Sequence, residues 1–211
     1  MNSIKMIIDD LDHPDPSCVQ NAKAALIALG SAAVEPLLKE LAYDDPRRRW
    51  EIIAILAKLH DPRATPAVAK FLFAKHGALR IAAAQCLGEI GDQRATSTLL
   101  LALEENCSSG ALIWIVQALG RLKDVRAVEA LLDVVRHTAS AAVRYTAIEA
   151  LGLIGDRRAV ETIKEYRDDE SAHVRARVEV ALERLGAAHS SQILELYRTE
   201  TRSEPIEVQG V

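Results

Sequence analysis

The sequence predicts an all-α fold in which helix pairs stack side by side into a solenoid, and three observations carry that expectation. A phrase recurs along the chain: the apolar residues that precede each short turn, Leu29, Leu59, Ile90, Leu122, Ile154 and Leu185, fall at spacings of 30, 31, 32, 32 and 31 residues. Within each phrase, small and apolar residues keep helical spacing; Val143, Thr146, Ala147, Ala150, Leu151 and Ile154 follow the i, i+3, i+4, i+7 pattern of one helical face. Finally, 49% of the 211 residues are hydrophobic but only 4% are aromatic, with alanine and leucine carrying most of the apolar content, a composition suited to close helix packing. A helix pair of this size cannot bury its own apolar face, so neighbouring pairs must share one continuous core.

The elements follow in order. Ile4 to Leu11 reads as a single helix, and with the turn Asp12-His13-Pro14-Asp15-Pro16 it forms an N-terminal cap over residues 1–16. Six pairs come next, each a first helix (A) and a second (B): 17–29 with 32–42, 47–59 with 63–73, 77–90 with 94–105, 109–122 with 126–136, 141–154 with 158–168, and 172–185 with 189–198. That makes about thirteen helices. Asp156 stands where an N-cap carboxylate belongs, with Asp61, Asp92 and Asp124 in the equivalent slots. The first turn, Gly30-Ser31-Ala32-Ala33, and the last, Gly186-Ala187-Ala188-His189, have lost this aspartate, as terminal repeats do. A single domain is expected over residues 1–199, with a flexible tail at 200–211 that contains Pro205 and shows no periodicity. Gly88, Gly120 and Gly152 lie inside A helices, where glycine costs about 0.8 to 1 kcal/mol relative to alanine. Their presence implies that a neighbouring helix approaches closely there.

The phrase Leu-Gly-x-Ile-Gly-Asp-x-Arg-Ala occurs at Leu87 to Ala95 and again at Leu151 to Ala159, with degenerate copies at Leu56 to Ala64 and Leu119 to Ala127. These residues resemble the short HEAT-like repeat of phycobilin lyase subunits and their relatives, over roughly residues 17–198. The expected architecture is therefore a right-handed α-solenoid, an α-α superhelix, of about six HEAT-like repeats behind a capping helix. The resemblance is informative about fold and much less so about activity, since the repeat serves lyases, hydroxylases, nucleic-acid enzymes and scaffolds alike.

Composition narrows the function classes. A net charge of −4 offers no global attraction to a polyanion, which argues against nucleic acid as partner. Cys18, Cys86 and Cys107 are odd in number and lack CxxC spacing, the N-terminal residues lack the apolar core of a signal peptide, and the longest uncharged run, Asn106 to Gly120, is 15 residues. That run is too short to span a bilayer, so no membrane association and a cytoplasmic setting are expected.

The candidate functional residues fall into a few groups. Arg49, Arg80, Arg144 and Arg175 share one slot on the A helices, with Leu112 in that slot in the fourth pair. In a stack they are expected to interleave with Asp61, Asp92, Asp124 and Asp156 as a structural ladder. None of the six histidines is followed by glutamate, the pairing that the resemblance to HEAT-like di-iron hydroxylases would require, so no metal is expected. Cys18 and Cys86 read as core thiols; Cys107 lies among acidic neighbours that disfavour a thiolate. Arg47, Arg48, Arg49 and Trp50 form the one basic cluster with an aromatic beside it, and on an acidic chain this reads as a solvated helix end.

The remaining group is a column on the B helices, ten residues after each alignment position: Lys39, Ala69, Leu100, Leu132, Lys164 and Glu195. It is expected to face outward on a concave surface, with Ala69, Phe73, Leu100, Leu101, Val128 and Leu132 forming an apolar centre that binds a partner protein. The first functional expectation is thus a protein-binding scaffold with no cofactor and no catalytic residue. The alternative, implied by the resemblance alone, is a lyase-like subunit that holds a bilin, an open-chain tetrapyrrole, and passes it to a cysteine of a partner protein.

Overall fold

Every A helix in the chain stops at the same kind of residue. The positions immediately after the six alignment residues, Gly30, His60, Gly91, Lys123, Gly155 and Gly186, all have positive φ, between 50° and 81°. This left-handed step ends a helix and turns the chain back on itself, a conformation that glycine adopts without steric cost. His60 and Lys123 adopt it at greater cost, showing that the turn is imposed by the repeat and not by glycine alone.

A computed structural model of the chain describes residues 2–105 and 109–186. These hold twelve α-helices and no strand. The helix α1 (Asn2–Asp9) with a 3-10 turn at Asp10–Asp12 forms the N-terminal cap. The A helices are α2 (Pro16–Ala28), α4 (Pro46–Leu59), α6 (Gly77–Ile90), α8 (Ser109–Leu122), α10 (Ala141–Ile154) and α12 (Ala172–Arg184). The B helices are α3 (Ser31–Glu40), α5 (Thr65–Ala69, continued by a 3-10 turn at Lys70–Phe73), α7 (Thr96–Glu104), α9 (Val128–His137) and α11 (Val160–Lys164). The thirteenth helix expected at 189–198, the tail at 200–211, Cys107, His189 and Glu195 lie outside the described residues.

Local chemistry explains the boundaries. Asp15 and Asp45 cap α2 and α4 by accepting from the amides of Ser17 and Arg47, each at 2.9 Å, and Pro16 and Pro46 occupy the first helical position, where a missing N–H has no consequence. Before α5, α7, α9 and α11 the chain makes one 3-10 turn, at Pro62–Ala64, Gln93–Ala95, Val125–Ala127 and Arg157–Ala159, each capped by the repeat aspartate.

One buried apolar cluster runs from Ile8 in α1 to Leu185 beyond α12. From α4 onward, successive A helices pack against one another far more extensively than successive B helices do. Interior glycines sit at three of these contacts. A Cβ placed on Gly88, Gly120 or Gly152 would lie 3.0, 2.6 or 3.0 Å from the Cα of Ala118, Ala150 or Ala181 on the next A helix. The expected close approach is therefore present at all three positions, glycine on one helix meeting alanine on the next.

Candidate binding surface

A B helix in a stack has neighbours on both flanks, so its buried arc is wider than that of an ordinary surface helix. In the second repeat Ala64, Thr65, Val68, Ala69 and Leu72 are buried and Ala67 and Phe71 half-buried, which leaves Pro66, Lys70 and Phe73 exposed. The same three positions are exposed in the third repeat (Ser97, Leu101, Glu104), the fourth (Glu129, Asp133, Arg136) and the fifth (Glu161, Glu165, Asp168).

From the second repeat onward the outward register corrects the expected column by one residue; in the first repeat, whose turn is one residue shorter, Lys39 keeps its place. Ala69 and Leu132 are 8% and 3% exposed and Val128 is fully buried, so these three are core residues. Leu100 is half-buried against the core. Of the six residues expected to form an apolar centre, only Phe73, at 39%, and Leu101, at 48%, are exposed. Residues 69 and 70 lie on opposite flanks of the outward arc, and the helical stripe by itself does not separate them. Packing in the assembled stack does, because it buries Ala69 and leaves Lys70 exposed. The outward row is therefore Lys39, Lys70, Leu101, Asp133 and Glu165.

Among the described residues, grooves open along the B layer. One, of about 500 Å³, is lined by Thr65, Pro66, Ala69, Lys70, Phe73, Arg94 and Thr98. The second, of about 410 Å³, lies where α7, α8 and α9 meet and has an apolar floor of Leu103, Leu112, Ala130 and Val134, with Glu104 and Asp133 at its edge. Leu112, the residue that replaces arginine in the fourth A helix, contributes to that floor.

The charged ladder exists with different arginines. Asp61, Asp92, Asp124 and Asp156 each accept from the backbone N–H two residues on, at 2.9, 3.0, 3.0 and 2.9 Å. The arginine that supplies this N–H, Arg63, Arg94, Arg126 or Arg158, also closes its guanidinium on the same carboxylate. Its Nη2 then reaches back to a carbonyl in the turn of the preceding repeat: Ser31, Pro62, Gln93 and Val125, at 2.9, 2.8, 3.1 and 3.4 Å. The guanidinium hydrogen bond is the chief cause that lowers all four carboxyls below their usual range, Asp124 to about 2, and burial opposes it. These arginines stand in the repeat motif itself, two residues after each aspartate, which is the signal that identifies them.

Arg49, Arg80, Arg144 and Arg175 do not meet the turn aspartates. They fasten the opposite end of the repeat, where each B helix leads into the next A helix. Arg49 donates to the Leu41 carbonyl at 3.2 Å, Arg80 to that of Ala74 at 2.8 Å, Arg144 to that of Thr138 at 3.2 Å and Arg175 to that of Asp169 at 2.7 Å. Arg144 also pairs with Asp169 at 2.9 Å. The columns are separate because the A helix runs between them, from its arginine near one end to the aspartate turn after the other.

The basic cluster joins the cap to the stack. Arg48 pairs with Asp9 at 3.1 Å, with Glu40 at 2.7 Å and with Asp12, joining cap, first repeat and second. Arg49 lies over the Phe71 ring and Lys23 over that of Trp50. Cys86 is fully buried, and burial raises its thiol; burial and Asp15 raise that of Cys18. His60 Nδ1 lies 2.7 Å from the Glu89 carbonyl and His137 Nδ1 2.9 Å from that of Asp133. Among the described residues no group of three His, Cys, Asp or Glu side chains is placed to hold a metal, and no helix is long and apolar enough to cross a membrane.

These features define an all-α repeat protein whose turns and core hold the stack together and whose variable positions lie on the outer side of the B helices. The family model for HEAT repeats matches at residues 34–120, 69–147, 96–183 and 128–204, and the chain belongs to that family. Among solved structures it is similar to a designed armadillo repeat protein in complex with the peptide (KR)4, at 17% identity over 86% of this chain and 99% of that one, with a TM-score of 0.59. An engineered protein from a structural genomics consortium is 20% identical over 89% of this chain and 98% of its own, with a TM-score of 0.55. The complex of CpcE and CpcF of phycocyanin lyase from Nostoc sp. PCC7120 is 24% identical over 85% of this chain and 98% of that one, and its TM-score of 0.47 carries no functional argument. None of the curated proteins matches the chain.

Proposed function

We propose that the protein is a binding scaffold that holds a partner protein on the outward face of its B helices. One observation carries the reading: three outward positions recur outside the core in each of four successive repeats, and the middle of that surface exposes Leu101 and also Phe73, which lines a groove of about 500 Å³. A scaffold needs such a division of labour, with invariant chemistry in the turns and variable chemistry on one surface. Exposed apolar residues beside a groove supply anchors of the kind that dominate interfaces. The similar designed armadillo repeat protein, which is solved with a bound peptide, supports the reading at the level of architecture.

The test compares wild-type protein with the variant Phe73→Glu/Leu101→Glu as bait in lysate of the source organism. Exposed substitutions usually change stability by no more than about 0.5 kcal/mol each, whereas loss of a central interface anchor costs about 2 kcal/mol or more of binding. The variant should melt near the wild-type temperature and lose the stoichiometric partner; an unchanged set of captured proteins contradicts the proposal. The lyase-like alternative makes its own prediction, a new visible absorption band when a free bilin is mixed with the purified protein.

A further inference from the structure

We infer that the outward face of the B helices selects a partner segment whose charges run in blocks: acidic where it lies over the first two repeats, apolar at its centre, and basic over the fourth and fifth. The inference rests on the proposal that this face binds protein, and names the chemistry of the bound segment. Its basis is the order of the outward row, Lys39, Lys70, Leu101, Asp133 and Glu165, at sequence intervals of 31, 31, 32 and 32.

These charges are not consumed by the fold. Among the described residues, the side chains of Lys39, Lys70 and Glu165 make no hydrogen bond or ion pair, and the Asp133 carboxylate meets only Arg136, at 3.6 Å, with both groups largely exposed. The turn aspartates, by contrast, are all closed upon by arginine. Two free cations, an exposed leucine and two available carboxylates thus stand in line across five repeats, with Phe73 next to the leucine's repeat. A ligand of uniform charge would be repelled by one half of this row. A ligand of alternating charge would gain at some repeats what it lost at others. Only a segment with its charges in two blocks gains at every repeat. At about 10 Å per repeat, the wide end of helix packing distances, the row is roughly 40 Å long, the reach of about twelve extended residues at about 3.3 Å each.

The probes are two fluorescein-labelled peptides of about twelve residues, identical in composition: one with a block of glutamates, a central leucine and a block of lysines, the other with glutamate and lysine alternating around the same leucine. In fluorescence anisotropy at about 50 mM salt, the block peptide should bind at least about tenfold tighter, four exposed pairs of modest strength acting together. The difference should shrink markedly by about 0.5 M salt, where the screening length falls to a few ångströms. The variant Lys70→Glu/Asp133→Lys breaks the blocks within the row while keeping net charge, and should abolish the preference. Equal affinity for the two peptides overturns the inference, and so does failure of both to bind. Sedimentation supplies a further check, because a dimer of the protein alone that Lys70→Glu disrupts would assign the row to a second copy and overturn it as well. The underlying proposal falls separately, if Phe73→Glu/Leu101→Glu leaves capture of the native partner unchanged.

Discussion

Asp124 shows how much one side chain contributes to joining two repeats. It caps the 3-10 turn before α9, receives the Arg126 guanidinium, and through that arginine is linked to the Gln93 carbonyl of the preceding repeat. Its side chain is 7% exposed, against 15%, 12% and 19% for Asp61, Asp92 and Asp156. The Arg126 hydrogen bond, with lesser help from the Arg126 amide and Thr96, holds the carboxyl at about 2 against burial, compared with 3.8 for the free group. Because the folded state favours the ionised form, the resulting stability is complete above about pH 4 and is lost as pH falls toward 2. Thermal unfolding should therefore be insensitive to pH between about 7 and 5, and stability should drop between about 4 and 2 as all four turn aspartates protonate. Asp124→Asn keeps a capping oxygen and loses the charge, so it should cost about 1 kcal/mol at neutral pH and give a shallower acid decline. An acid profile that superimposes on the wild type after normalisation would show that Asp124 does not carry this coupling. The four aspartates were legible as caps from their recurrence in the turn. Their arginine partners are less legible, because two arginine columns recur with the same period and period alone does not say which end of a helix meets the turn.

At the scale of the helix, the A helices were the more legible elements. Their apolar stripe, their capping residues and the interior glycines all point to one arrangement, and the closest approach occurs where Gly120 meets Ala150. Gly120→Ala tests it. Alanine gains about 1 kcal/mol in helix propensity, but its Cβ would lie 2.6 Å from the Ala150 Cα, on backbone that cannot move without parting two helices. Overpacking of this kind costs about 1 to 3 kcal/mol, so the substitution should lower Tm by a few degrees, and the same change at Gly88 or Gly152, where the contact is 3.0 Å, should cost less. A higher Tm for Gly120→Ala would mean that α8 and α10 are not held this closely. The B helices were less legible. Five-residue α5 and α11 carry too little pattern to fix the angle of the outward arc, and the deciding information, which flank the next repeat covers, is tertiary. Hence the sequence pattern puts Leu132 at the surface where the stack buries it, and Lys70, Asp133 and Glu165 form a row only in the assembled stack.

At the scale of the whole molecule, function depends on a division between what every repeat must conserve and what each is free to vary. Turn ladders, left-handed helix ends and glycine–alanine contacts keep the stack in register; of the outward residues Glu129 is drawn into a ladder, accepting from Arg158 at 2.9 Å, while the row of Lys39, Lys70, Leu101, Asp133 and Glu165 is not. The A helices also expose large side chains, among them Trp50, so exposure alone does not pick out the binding face. The direct measurement is site-specific photo-crosslinking in cells of the source organism, with a photoreactive amino acid replacing Leu101 on α7 or, for comparison, Trp50 on α4. A discrete crosslinked partner from position 101 and none from position 50 is the predicted result; the same partner crosslinked from position 50 and not from 101 would contradict the assignment of function to the B-helix face.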